Sequence, residues 1–164
     1  MAKIRFTKAA LLRILATEPL RPGEWLARRN SIIGPVTNKD CVGCAVGALF
    51  NVCTVVNNNR LDINDWVWEL LDLIHSSVTA YNQANKHLKA RRYLPALSCR
   101  FEGAASKSKH KNNPTECARQ NILKWIRAKF PATLTLDING FEPRTDLPKG
   151  VTVVKTRAKK TTNG

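Results

Sequence analysis

No run in the 164 residues approaches the ~20 consecutive apolar side chains of a membrane-spanning helix. Acidic groups are also scarce, with twelve Asp and Glu against twenty-seven Lys and Arg. The first shortage argues against a helical membrane protein. The second leaves a net charge of +15, a field that draws polyanions such as nucleic acid, acidic protein surfaces or anionic lipid. A secretory signal is not recognisable either. The start "MAKIRFTKAALLRILA" is basic, but its apolar stretch is short and broken by Arg13. An amphipathic helix accounts for these residues more simply than a mitochondrial presequence. Five cysteines, an odd number, then suit reduced thiols in a cytoplasm.

What is present is enough for one domain. A hydrophobic content of 43% excludes wholesale disorder, and a chain of this length buries roughly two thirds of its unfolded surface. Residues 1–155 are expected to form a single globular domain, followed by a disordered basic tail over 156–164. Positive charge is clustered. Residues 84–111 hold eight basic groups against one acid, and 143–164 hold six against one, whereas 31–83 carry a net negative charge. Clustering of this kind suits a polyanion-facing surface, although a merely solubilising surface has the same composition.

Periodicity predicts an α+β fold, mainly helical, with about five helices and a small C-terminal antiparallel β element. Thr7 can cap a first helix running to about Thr17, with Leu11, Leu12, Ile14 and Leu15 as its apolar stripe. Pro19, Pro22 and Gly23 make a turn, an extended piece begins at Trp25 and Leu26, and "NSIIGPVTNKD" reads as a loop. From about Asp40 a second helix is expected, ended by "NNN" at 57–59. "LDINDWVWELLDLIHSSVTAYNQ" carries the strongest helical pattern. A basic helix, "KHLKARRYLPALSCRF", follows, entered or kinked at Pro95. "EGAASKSKHKNNP" reads as a flexible basic loop. Thr115 then caps a helix with Ile122, Leu123, Ile126 and Phe130 inward and Arg119, Lys124 and Arg127 outward, stopped by Pro131. "TLTLDI" alternates as a strand, Asn139 and Gly140 suit a hairpin turn, and "VTVVK" at 151–155 is its expected partner.

The stretch "DCVGCAVGALFNVC" raises the question of metal. Cys41 and Cys44 have the spacing of a zinc half-site, but no second Cys or His pair completes it. Cys53, His75, His87, Cys99, His110 and Cys117 are scattered singly, so zinc would require a site assembled in three dimensions. A thioredoxin-like pair would need a βαβ setting that the flanks do not supply. Small residues at Cys44, Ala45, Gly47 and Ala48, with larger apolar neighbours, favour a thin, buried central helix. No metal and no cofactor are expected.

"KDCVGCAVGALF" resembles a C-x-x-C-A-V-G-A signature of small uncharacterised phage, prophage and plasmid accessory proteins. "LLRILATEPLRPGEWL", "RYLPALSCRFE" and "ILKWIRAKFPATLTLDI" fit the same pattern in consistent order, over about half the chain. The resemblance implies an accessory product of a mobile element. It supplies no catalytic residues.

Enzymatic arrangements are thin: no Gly-rich phosphate loop, no H-E-x-x-H and no G-x-S-x-G. Asp62, Asp65, Glu69 and Asp72 share helical spacing but read as a solvated acidic face. The chemistry therefore rests on the cations Lys86, Lys89, Arg91, Arg92, Arg100, Lys107, Lys109 and Lys111. Arg28, Arg29, Lys159 and Lys160 could join them. Tyr93 or an exposed tryptophan could stack on a base. The expectation is a non-enzymatic accessory protein that binds DNA or RNA, with no membrane and no small-molecule substrate. The alternative is a protein-binding inhibitor of a host enzyme or defence complex, anti-CRISPR-like, docking through Trp25, Trp66 or Trp68.

Overall fold

The computed structural model describes residues 2–24, 26–28, 36–55, 57–58, 93–130, 132 and 135–154, and the fold they form is α+β. Strand β1 spans Ala2–Thr7 and leads directly into helix α1, Lys8–Thr17. Three short strands follow: β2 (Ala27–Arg28), β3 (Val36–Thr37) and β4 (Cys41–Val42). Helix α2 covers Ala45–Cys53, and β5 covers Asn57–Asn58. Helices α3 (Tyr93–Lys107) and α4 (Pro114–Lys129) precede strands β6 (Thr135–Phe141) and β7 (Val151–Val154).

The helices close a ring. Helix α1 packs against α2 and α4, α2 packs against α3, and α3 packs against α4. All nine residues of α2 are buried, which fits its nearly uninterrupted apolar sequence; a helix apolar all round has no solvent face to offer. Each fully buried Val, Leu or Phe side chain contributes about 1.5–3 kcal/mol. The cysteine stretch is thus the central helix, as its small residues suggest, but the helix begins later than expected. Cys41 and Val42 pair with Arg28 and Ala27 instead, and Cys44 occupies the N-cap.

The main sheet has the order β6-β1-β7, antiparallel throughout. It is therefore not a purely C-terminal element, because its centre is the N-terminal strand. Ile4 and Phe6 of β1 are fully buried, paired with Ile138 and Leu136 on one side and with Val153 and Val151 on the other. Asn139 and Gly140 do not form a hairpin turn. They lie inside β6, where the register shifts between Ala2 and Lys3 of its partner, and β1 separates β6 from β7. "NSIIGPVTNKD" is likewise not loop alone: Val36 and Thr37 pair with Asn58 and Asn57, and Asn38–Asp40 make a 3-10 turn.

Four helices lie among the described residues, against about five expected. The strong pattern of residues 61–83 falls outside the described residues. Thr7 caps α1 as anticipated, its Oγ1 accepting from the Ala10 amide at 3.2 Å, and Ala10, Leu11, Ile14 and Leu15 are buried. Pro95 enters α3 in its first turn, where no intrahelical donor is lost. Residues 102–107 continue that helix rather than forming a flexible loop, and the link to α4 is only 108–113. That link is hydrogen-bonded: the Ser108 amide donates to Ala104 O at 3.1 Å, and the Lys111 amide to Ser108 O at 2.8 Å. Asn113, not Thr115, caps α4, its Oδ1 accepting from the Glu116 amide at 3.0 Å, with Pro114 at the first helical position.

Candidate nucleic-acid interface

Helix C-termini leave carbonyls unsatisfied and carry a partial negative charge, so they attract cations. Three of the four described helices use this. Arg119 on α4 donates from Nη1 to the carbonyls of Leu15 (2.6 Å) and Glu18 (2.8 Å), closing α1. Lys8 on α1 closes α4 in turn, donating to Arg127 O (3.1 Å) and Phe130 O (2.5 Å). Arg144 donates from Nη1 to Asn51 O at 3.1 Å near the end of α2, where the Asn38 side-chain amide also reaches Asn51 O (2.7 Å) and Thr54 O (2.8 Å). Asp146 holds Arg144 by two bonds, Nε to Oδ1 at 2.9 Å and Nη2 to Oδ2 at 2.7 Å. That contact pulls the Asp146 carboxyl below its ordinary value. Arg13 donates to Lys149 O. These cations hold the fold together. Arg119 in particular does not point outward, since its side chain is only 13% exposed.

A second set is presented to solvent. Residues 93–130 hold eight Lys and Arg against two Glu, and both carboxylates are engaged. Glu102 accepts from the Gly23 amide at 3.0 and 2.9 Å. Glu116 accepts from Gln120 and Arg119, and these contacts lower its carboxyl below the ordinary value, Gln120 contributing most. Lys107, Lys109, Lys111, Lys124, Arg127 and Lys129 are all exposed. Among the described residues none of these six side chains forms an ion pair. Arg100, also exposed, lies over the ring of Trp125 at 5.1 Å from its centroid, a cation–π contact linking α3 to α4.

Of the expected contact residues, Arg100, Lys107, Lys109 and Lys111 fall together on α3 and the 108–113 link. Lys86, Lys89, Arg91, Arg92, Arg29, Lys159 and Lys160 lie outside the described residues. Arg28 is placed by its backbone alone, in β2. Lys124, Arg127 and Lys129 are not among the expected contacts, although the helical spacing of Lys124 and Arg127 away from the Ile122–Ile126 stripe marks those two, and Lys129 is exposed as the last residue of α4. Trp25, Trp66 and Trp68 also lie outside the described residues.

The cysteines do other work. No disulfide joins any of the five, and Cys41, Cys44 and Cys53 are buried. Burial pushes the Cys44 thiol up to about 11 and the Cys53 thiol up to about 12. Cys44 does follow a strand and precede a helix, which is the position of an activated thiol, but desolvation overrides the helix terminus and keeps it protonated at neutral pH. Beside it a cavity of 230 Å³ is lined by Gly23, Glu24, Cys44, Ser98 and Glu102. Among the described residues no three His, Cys, Asp or Glu side chains group as a metal site, and no helix is long and apolar enough to cross a membrane.

No family model matches the chain, and neither the curated proteins nor the solved structures yield a match.

Proposed function

We propose that this chain is a non-enzymatic accessory protein of a mobile genetic element that binds nucleic acid through the basic surface of α3, α4 and their link. One observation carries the reading: the carboxylates of this helical hairpin are occupied by other groups, while six of its Lys and Arg side chains stand exposed and form no ion pair among the described residues. Cations so placed are available to phosphate oxygens, and each contact releases counterions from the polyanion. The capping cations Lys8, Arg119 and Arg144 are already committed and contribute to the fold. Cysteines without disulfides suit a reducing bacterial cytoplasm.

The testing experiment is capture from bacterial lysate on the immobilised protein, with and without nuclease. Recovery of nucleic acid, abolished by nuclease treatment and steeply weakened between ~50 and ~200 mM salt, supports the proposal. A host protein that stays bound after nuclease and through such salt would replace it with an inhibitor of a host enzyme or defence complex.

A further inference from the structure

Resting on that reading, we propose that the ligand is single-stranded nucleic acid, stacked on a platform formed by Arg100 and Trp125. The indole of Trp125 is fixed from within: Phe130, only 2% exposed, meets it edge to face at 5.1 Å and 75°. The Arg100 guanidinium also lies over this ring, 5.1 Å from its centroid, on a side chain exposed to solvent. A planar guanidinium held over a pinned aromatic ring is a stacking group whose ordering cost is partly met in the free protein. Bases stack on aromatic rings and on guanidinium planes when they are unpaired.

A duplex keeps its base faces buried and offers only edges in its grooves, so such a platform has nothing to stack against there. The surrounding charge suits a strand threaded past the platform. Lys107 follows Arg100 by two helical turns on α3, and Lys129 follows Trp125 by about one turn on α4, so both helices continue each face with a cation. Every base has a π-face, so binding by this route tolerates sequence, in keeping with a hairpin whose other exposed cations favour backbone contact.

The test measures anisotropy of labelled oligo-dT, oligo-rU and a duplex of equal length with the full chain at about 100 mM salt. Arg100→Lys keeps the charge and removes the plane, and because Arg100 is exposed the variant folds; Trp125→Phe is the second probe. The expected result is preferential binding of the single strands, weakened about tenfold by Arg100→Lys, with duplex affinity changed less than about twofold. The two single-stranded probes decide between DNA and RNA. Duplex binding as tight as single-strand binding, or an Arg100→Lys variant that binds like the wild type, overturns the platform and leaves the basic-surface reading standing. Absence of binding to all three probes at ~50 mM salt overturns both.

Discussion

Arg119 donates a 2.6 Å hydrogen bond to the carbonyl of Leu15, a residue 104 positions earlier in the chain. The contact ties α4 to the end of α1 and removes one guanidinium from the protein's surface charge. Among the described residues the cations therefore include two distinct populations. Lys8, Arg13, Arg119 and Arg144 satisfy backbone carbonyls, and the hairpin cations face solvent. The distinction has consequences for stability that differ from those for binding.

Arg119→Met should destabilise the fold by about 1–3 kcal/mol, because it leaves the Leu15 and Glu18 carbonyls without their charged donor. Urea denaturation reads the change. Lys124→Met, on the exposed face of the same helix, should shift stability by less than ~0.5 kcal/mol. Equal effects from the two substitutions would contradict the sorting of the cations.

Two glycines should respond to alanine with opposite signs. Gly150 has φ +83°, and a Cβ there would sit 2.7 Å from Thr7 Oγ1 and 3.0 Å from Ala10 Cβ, at the cap of α1. Gly150→Ala should cost about 1–3 kcal/mol from strain and displacement of that cap. Gly103 lies within α3, and a methyl group added there would meet nothing within 4 Å, so Gly103→Ala should stabilise by about 0.5–1 kcal/mol. Thermal melts of the two variants check both signs.

Thiol chemistry should separate the cysteines by burial. In the native protein a disulfide-exchange reagent at pH 8 should label Cys99 first, reach the half-buried Cys117 more slowly, and modify Cys41, Cys44 and Cys53 only on unfolding. The raised Cys44 and Cys53 values also carry a pH dependence. Above 9.0 the unfolded chain loses thiol protons that the folded chain retains, so the folded state binds more protons and stability falls as pH rises. This contribution is fully present below pH 9.0 and is lost through the folded values of about 11 and about 12. Each thiol contributes a slope of at most about 1.4 kcal/mol per pH unit. Cys53→Ala should flatten the decline of stability between pH 9 and 11. An unchanged slope would show that the thiol does not titrate in that way.

Local signals were legible where the partner lies within a few residues. Thr7 three residues before Ala10, and the Ile122, Leu123, Ile126 and Phe130 spacing, declare their helix cap and inward face in the sequence. Strand β1 was masked by its continuity with α1. Its alternation of Ile4 and Phe6 with Lys3 and Arg5 is a strand signal, but the basic start of a helix has the same composition. Asn139 and Gly140 carry the composition of a turn and lie instead in a strand with an irregular register. Arg119 looks like a surface residue because its partners belong to a helix met a hundred residues earlier. Residues 102–114 look flexible by composition, yet α3 runs on to Lys107, and Ala105 within it and Ser108 just after it are buried. In the candidate interface, Arg100 and the lysines at 107, 109 and 111 were visible as a charge cluster. Their separation from the cations that cap helices required the hydrogen bonds.

The salt dependence of oligonucleotide affinity tests the central claim most directly. Log affinity for a single strand against log salt concentration should fall steeply for the wild type. The triple variant Lys107→Glu, Lys109→Glu, Lys124→Glu should bind more weakly, with a slope shallower by about 0.7 for each phosphate no longer neutralised and with an unchanged melting temperature. A variant of intact fold whose affinity and slope equal those of the wild type would contradict the assignment of the hairpin cations to nucleic acid.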